Sequence, residues 1–600
     1  MACSTSENFL HTVESLRLAL TSPKFSIYDS NYSQFLRLSL SPEFASEILA
    51  RFELRGVPLK EKFSLFPHQI ETLKWMRMRE KTNQKGILGG IVCLKMGMGK
   101  TLTALTHILS SPKGDFPTLV IASKTVMTEW VDQGLNKFFE DKSVKILLFH
   151  REYTNLDSVT REDILKFDIV LTTYDMLTSI NRKTNFYNSV CEIGDSHSWM
   201  KDKIVAIHCQ NAVGADKPLL KGCEVLYGTP WHRIVCDESQ RFANPKTILY
   251  KCILALYGKY KWCLSGTPIR NYDTDIWSQL RFCGYTSISS AIEWNRKGHS
   301  AFSKENLDKV LYQLDYSDTM IKLPEKHEHD FVVVFEGNQK AIYESILTRT
   351  KQIFANMMSG TADFASVLAM FVRLRQSAVA PYLLVDSSKD HPYNSDDNSD
   401  NNSFCFAKES DAGFKAVKIL KILEILETIP KDEKVVFFTS FTSYLDLLQE
   451  VIALKLPSLS IFRIDGSTKA SERLSMIQKF KDQQNSSILL MTYKVGGEGL
   501  NLVEANHCIC GEPWWTDAVH NQAKARIWRT GQTKDVHVYN IIVSNSIEER
   551  ILEICKQKED MAKMYLSKKD IFKVDEADAK EKKKVVIDKF TMGKVLGYFF

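Results

Sequence analysis

Gly97, Gly99, Lys100 and Thr101 lie in the stretch CLKMGMGKTLTAL at 93–105 of a 600-residue chain. Two glycines around a methionine let backbone N–H groups turn inward, and the lysine adds a mobile positive charge. That is chemistry for holding a triphosphate. The backbone of Met96, Gly97, Met98 and Gly99 would wrap β- and γ-phosphates, Lys100 would neutralise them, and the Thr101 hydroxyl would sit on Mg²⁺. The usual loop begins with a further glycine, where this chain has Leu94. Alone, the stretch also reads as a turn before a helix, a reading that the missing glycine strengthens. A second cluster is Asp237-Glu238, at the end of the apolar run in WHRIVCDESQ. Asp237 would hold Mg²⁺ through water, and Glu238 would polarise an attacking water. This pair alone is equally a solvated turn. The third, LSGTPIRN at 264–271, ends another apolar run in small polar groups that can sense a phosphate.

These residues need elements that end at one place. GILGGIVCL can supply a strand before the glycine loop, and LTALTHIL a helix after it. TLVIAS, KILLFH, FDIVLTTY, HRIVCDES and KWCLSGTP alternate with helical periodicity, and the pattern resumes in KVVFFTS, SIFRIDG, SILLMTY, HCICGE and VHVYNIIV. Strand–helix alternation implies parallel sheets with crossover helices, and carboxylates at strand ends fall where such sheets place their sites. Between the blocks, 386–403 is dense in Asp, Asn and Ser and reads as a disordered loop. The expected organisation is an N-terminal extension at 1–60, lobe one at 61–285, a helical linker with that loop at 286–410, lobe two at 411–560, and a charged tail at 561–600. KEKKK at 580–584 reads as a solvated surface.

The chain is 44% hydrophobic and 25% charged, with net charge +6, which permits a polyanionic partner without demanding one. Its scattered cysteines read as reduced thiols of an intracellular protein. The N-terminus has no secretory pattern, and no apolar run approaches the roughly 18 residues of a membrane span. Cys191, His197, His208, Cys209 and Cys223 have gaps that match no zinc pattern, so no zinc is expected, and the absence of paired CxxC motifs excludes a RING array.

DESQ followed by LSGTP resembles helicase superfamily two, and more narrowly the Snf-type chromatin-remodelling and DNA-repair translocases. Further blocks are similar in order: FPHQIETLKWM, TLVIASKTVMTEW, VLTTYDML, VRLRQSAVAPYLL, KVVFFTSFTSYLDLL, FRIDGST, LLMTYKVGGEGLNL and NQAKARIWRTGQ. The resemblance covers roughly 66–550 and implies two RecA-like lobes, each a mostly parallel sheet flanked by helices. It gives Gln69 an adenine-reading role, Gly497 and Gly499 a close approach to phosphate, and Thr172, Thr173, Ser440 and Thr492 contacts to DNA phosphates. Arg526 and Arg529, three apart and so on one helical face, would otherwise be a surface pair; the resemblance makes them arginine fingers, with Gln522 and Gln532 supporting their helix. The chain departs from the family at Leu94-Lys95, where an acidic pair is usual, at Ser123, where proline is usual, and at Gln240, where His is usual. The Gln240 amide is expected to keep a hydrogen bond toward lobe two.

The implied activity is ATP-driven translocation on double-stranded DNA, with ATP and Mg²⁺ bound between the lobes. The alternatives are a strand-separating DNA or RNA helicase and a non-catalytic DNA-binding scaffold. So bare a motor resembles those of large DNA viruses as much as cellular remodellers, which leaves nucleus, host cytoplasm and virion as locations.

Overall fold

The computed structural model describes residues 60, 63–111, 114, 116–139, 144–184, 223–301, 304–319, 321–384, 416–496 and 500–566. Gly497, Gly499, Cys191, His197, His208, Cys209, the 386–403 loop and KEKKK lie outside the described residues, as does nearly all of the N-terminal extension. Cys223 opens a short helix, Cys223–Tyr227.

Apolar runs become strands here because both of their faces are covered. GGIVCL forms β1 (Gly89–Leu94) with every residue buried. Ile91 and Cys93 enter one core cluster, and Val92 and Leu94 enter the cluster on the opposite face. The first sheet adds β2 (Thr118–Ala122), β3 (Ile146–Leu148), β4 (Ile169–Thr173), β5 (Trp231–Asp237), β6 (Gly258–Ser265) and β7 (Leu311–Leu314). Its order is β3-β4-β2-β5-β6-β1-β7, and every pairing is parallel. The C-terminal ends of β5, β6 and β1 therefore lie side by side. This is how the glycine loop, Asp237 and the LSGTP turn reach one edge.

The second sheet contains β8 (Lys326–Val333), β9 (Lys434–Thr439), β10 (Ser460–Ile464), β11 (Ser487–Thr492), β12 (His507–Cys510) and β13 (Val536–Val543). Its order is β10-β11-β9-β12-β13-β8, again all parallel. In β9, Val435 and Phe437 pack on one side while Val436 and Phe438 pack on the other.

The expected linker boundaries need correction. The 286–410 segment is not a purely helical connection, because it supplies β7 to the first sheet and β8 to the second. Its helices Asn338–Met358 and Phe364–Val379 then pack against the late helix Ile547–Leu566 through Tyr343, Phe371, Ile547 and Ile551. Among the described residues, no helix is long and apolar enough to cross a membrane, and no group of His, Cys, Asp or Glu could hold a metal ion by itself.

Candidate nucleotide site between the two sheets

The loop after β1 is built on two positive φ angles, +85° at Gly97 and +78° at Gly99. Only glycine takes these cheaply, and space forbids a side chain as well. A Cβ at Gly99 would lie 2.2 Å from Gln69 Nε2, and one at Gly97 would lie 2.7 Å from the Tyr316 hydroxyl. The helix α2 (Lys100–Ser110) starts directly after Gly99, so its positive N-terminal end faces the loop. Lys100 Nζ donates to the carbonyls of Leu94 at 3.0 Å and Lys95 at 3.5 Å. That holds the ammonium at the end of β1, where a phosphate could take over its protons. Thr101 is half-buried in the first turn. Met98 buries its side chain in the core, so only its backbone faces the loop.

Helix α1 (Pro67–Lys81) braces this loop. His68 Nε2 donates to Met98 O at 3.0 Å. Gln69 Nε2 donates to Gly99 O at 3.3 Å, while its Oε1 accepts from Phe66 N at 2.9 Å. Gln69 is buried with both ends of its amide engaged. The residue expected to read adenine therefore also braces the loop. Nothing in the sequence singled out His68.

At the end of β5, Asp237 Oδ2 accepts from Trp130 Nε1 at 2.8 Å, and its Oδ1 accepts from Glu238 N at 3.0 Å. Tyr174 Oη donates to Asp237 O at 2.7 Å. Glu238 sits at φ +52°, ψ +51°, a left-handed conformation that costs a non-glycine residue about 1–3 kcal/mol. Such strain persists where surrounding contacts impose it. Here Gln240 Nε2 donates to Glu238 Oε2, Ser265 Oγ donates to Gln240 Oε1 at 2.6 Å, and Thr267 N donates to Ser265 Oγ at 3.0 Å. The DESQ and LSGTP segments are thus one hydrogen-bonded chain. Gln240 does not reach toward lobe two as expected, since both these partners are in lobe one.

Burial pushes Asp237 up to about 6, and the neighbouring Glu238 charge adds to this, while the Trp130 bond and Lys100 pull it down. Its folded value exceeds the ordinary aspartate value of 3.8, so the native chain takes up a proton as pH falls through about 6. Metal-free protein should therefore gain stability from this group on that descent, whereas affinity for Mg²⁺–nucleotide should weaken. Calorimetric titration with Mg²⁺–ADP from about pH 7 to about pH 5 checks the second effect, and a flat affinity would contradict it.

The opposite wall comes from lobe two. The helix Asp517–Lys524 ends before either candidate arginine, so Arg526 and Arg529 lie in the following turn, not on one helical face. Arg526 is buried, and its Nε donates to Gly496 O at 2.8 Å. Arg529 Nη1 donates to Leu500 O at 3.2 Å. Arg529 Cβ would be 3.1 Å from a Cβ on Gly97, and Thr530 Oγ1 donates to Gly97 O at 3.2 Å. Arg529 thus has its Cβ beside the glycine loop, while the described guanidinium bonds of both arginines stay within lobe two. Gln532 does support this turn: its Nε2 donates to Ala505 O at 2.8 Å and Ile527 O at 3.3 Å.

Two expected DNA contacts are corrected by burial. Thr172 is fully buried, with its hydroxyl donating to Phe149 O at 3.0 Å, and buried Thr173 accepts from Met176 N at 3.2 Å. Both hydroxyls hold the fold. The Ser440 Oγ is buried too, and has no hydrogen-bond partner among the described residues, while its N donates to Glu512 Oε1 at 2.6 Å. Thr492 is buried at the end of β11.

Family models match the chain as an SNF2-related domain over residues 68–383 and a helicase conserved C-terminal domain over 417–531. The chain is 46% identical to "Putative helicase 172L" of Invertebrate iridescent virus 6 over 597 residues, covering 91% of this chain and 96% of that one. It is 25% identical to "Protein CHROMATIN REMODELING 4" of Arabidopsis thaliana, over 86% of this chain and 21% of that protein. It is also 25% identical to "ATP-dependent DNA helicase DDM1" of the same plant, over 84% and 62%. The chain thus spans less than two thirds of both plant relatives. The SNF2-related match alone takes in more than half of the chain. With a phosphate loop, an Asp-Glu pair and an arginine turn meeting between two parallel sheets, this chain belongs to the SNF2-related family of helicase-like ATPases and is an ATP-hydrolysing enzyme.

Proposed function

We propose that this enzyme couples ATP hydrolysis in the cleft between its sheets to translocation along double-stranded DNA. The observation that carries the reading is the Thr530 bond to Gly97 O, which sets Arg529 Cβ beside the loop that also bears Lys100. On this reading the backbone of 96–99 and the Lys100 ammonium hold the phosphates, Glu238 orients the attacking water, and Arg529 stabilises charge on the transferring group. Arg526 acts by holding Gly496, next to Gly497 and Gly499, which would approach a phosphate closely. Buried Asp237 with Thr101 suits Mg²⁺, which would offset triphosphate charge when bound.

Nucleotide held by both lobes, and products held by one, would open and close the cleft and step the lobes along a backbone. Ser440 and Thr492 are the proposed phosphate contacts on lobe two, and their buried hydroxyls would be uncovered as the cleft opens, with affinity falling steeply in salt. We take the passage from β7 to β8 as the boundary between the working lobes. The viral relative supports a virus-encoded enzyme, and we place its action on DNA in the nucleus in preference to host cytoplasm or virion.

ATP hydrolysis by the wild-type chain should rise with double-stranded DNA, and Lys100→Ala should remove that rise. Triplex displacement without duplex unwinding is the expected motor output. Unwinding without triplex displacement would favour strand separation, and equal rates for wild type and Lys100→Ala would overturn the assignment of the site.

A further inference from the structure

Arg529 lies in a turn, where no helical hydrogen-bond ladder sets its direction. Both of its sequence neighbours are tied down outside that turn. On one side, the Trp528 ring packs edge-on against Tyr316, with centroids 5.3 Å apart and planes at 62°. Trp528 Nε1 also donates to Pro324 O at 2.9 Å. On the other side, Thr530 Oγ1 donates to Gly97 O at 3.2 Å.

Tyr316 belongs to lobe one. It opens the short turn Tyr316–Asp318 after β7, and its N donates to the Asp315 carboxylate at 2.7 Å. Asp315 in turn pairs with Lys95 at 3.5 Å. The Tyr316 hydroxyl donates to the Met96 carbonyl. Consecutive carbonyls of the phosphate loop, Met96 and Gly97, thus anchor the two sides of Arg529.

We propose that Tyr316, Trp528 and Thr530 form a two-point clamp that positions Arg529 on the phosphate loop, making these three positioning residues for ATP hydrolysis. The inference rests on the role given to Arg529 above. A displacement of about 1 Å at a reacting centre can cost about 10²-fold in rate, so a turn free to swing would waste much of what an arginine contributes. The aromatic contact fixes the swing, and the threonine bond fixes the approach. Because both anchors are loop carbonyls, a change in loop shape is transmitted directly to the arginine.

The test compares Trp528→Ala, Trp528→Phe, Tyr316→Ala, Arg529→Ala and the Trp528→Ala/Arg529→Ala double variant in the full chain with saturating DNA. Trp528→Ala and Tyr316→Ala should lower kcat by about 10²-fold with KM for ATP little changed, the pattern of a lost transition-state interaction. Trp528→Phe should recover most of the rate. The double variant should be no slower than Arg529→Ala alone, because the clamp acts through that arginine. Amide exchange across 96–99 in nucleotide-free Trp528→Ala should be faster than in wild type. Additive losses in the double variant, a raised KM with unchanged kcat, a Phe variant as slow as Ala, or unchanged exchange would each overturn the clamp. A wild-type chain without ATP hydrolysis would sink the reading beneath it, and hydrolysis that is lost in Arg529→Ala but retained in Trp528→Ala would sink the clamp alone.

Discussion

Glu238→Gln should lower kcat for ATP hydrolysis by about 10²–10⁴-fold while leaving nucleotide bound, because the change removes a proton acceptor and little else. The amide has the same shape, and its oxygen can still accept from Gln240. The strained backbone at Glu238 and the chain through Gln240, Ser265 and Thr267 remain possible. Binding should even improve slightly, since the like charge that helps raise Asp237 is gone. Steady-state hydrolysis beside calorimetric titration with Mg²⁺–ADP separates the two effects. A loss of less than about tenfold would mean that water is oriented by another group.

Glu80→Ala should destabilise the first lobe by about 3–5 kcal/mol, a large share of a domain's net stability. Glu80 takes Arg233 through two bonds, Nε to Oε1 at 2.7 Å and Nη2 to Oε2 at 2.6 Å. It also accepts from His107 Nε2 at 2.8 Å and Trp262 Nε1 at 3.0 Å. Glu80 on α1 and its partners on α2, β5 and β6 tie together the elements that carry Gln69, Lys100, Asp237 and Ser265. Removing the carboxylate strands a buried guanidinium, so the loss exceeds that of one surface ion pair. Burial holds His107 below its usual range, so it contributes mainly as a neutral donor.

The sign with pH follows from Glu80 itself. Burial raises its pKa, but the bonds to His107 and Arg233 outweigh that and hold it well below the ordinary 4.5. A depressed carboxylate stabilises the fold fully above its unfolded value and loses that contribution as pH falls toward its folded one. Thermal unfolding of wild type and Glu80→Ala at neutral pH should differ by on the order of 10 °C, and the gap should narrow only in strong acid. Near-equal midpoints at pH 7 would show the network to be redundant.

What could be read before any coordinates were known has a common physical basis. Eleven strands stand out as apolar runs: strands inside the sheets such as β9 and β11 bury both faces and need no partner to be recognised, while the edge strands β3 and β10 are half-exposed but still largely apolar. β7 and β8 escape this rule. They are edge strands with half-exposed residues, LYQL and KHEHDFVV, and their membership of two different sheets depends on pairing rather than composition.

The site divides the same way. Gly97, Gly99, Lys100 and the Asp237-Glu238 pair carry local signals, because positive φ, a helix start and a strand end are all short-range facts. Gln69, Thr172 and Thr173 were legible as residues but not as contacts, since their burial is set by neighbours far along the chain. Trp528 falls inside NQAKARIWRTGQ and Tyr316 in no quoted block, but neither carries a signal of the ring contact that joins them across more than 200 positions.

Taken alone, the chain of residue types determined two parallel α/β lobes and a candidate phosphate site on the first. Only tertiary structure decided that Thr530 bonds Gly97 with Arg529 beside it while Arg526 holds Gly496, that Gln240 bonds within lobe one, and that the supposed linker feeds both sheets. The reason is range. Backbone conformation and burial pattern are written into short windows, but the direction of a side chain in a turn is settled by whatever the rest of the fold packs against it.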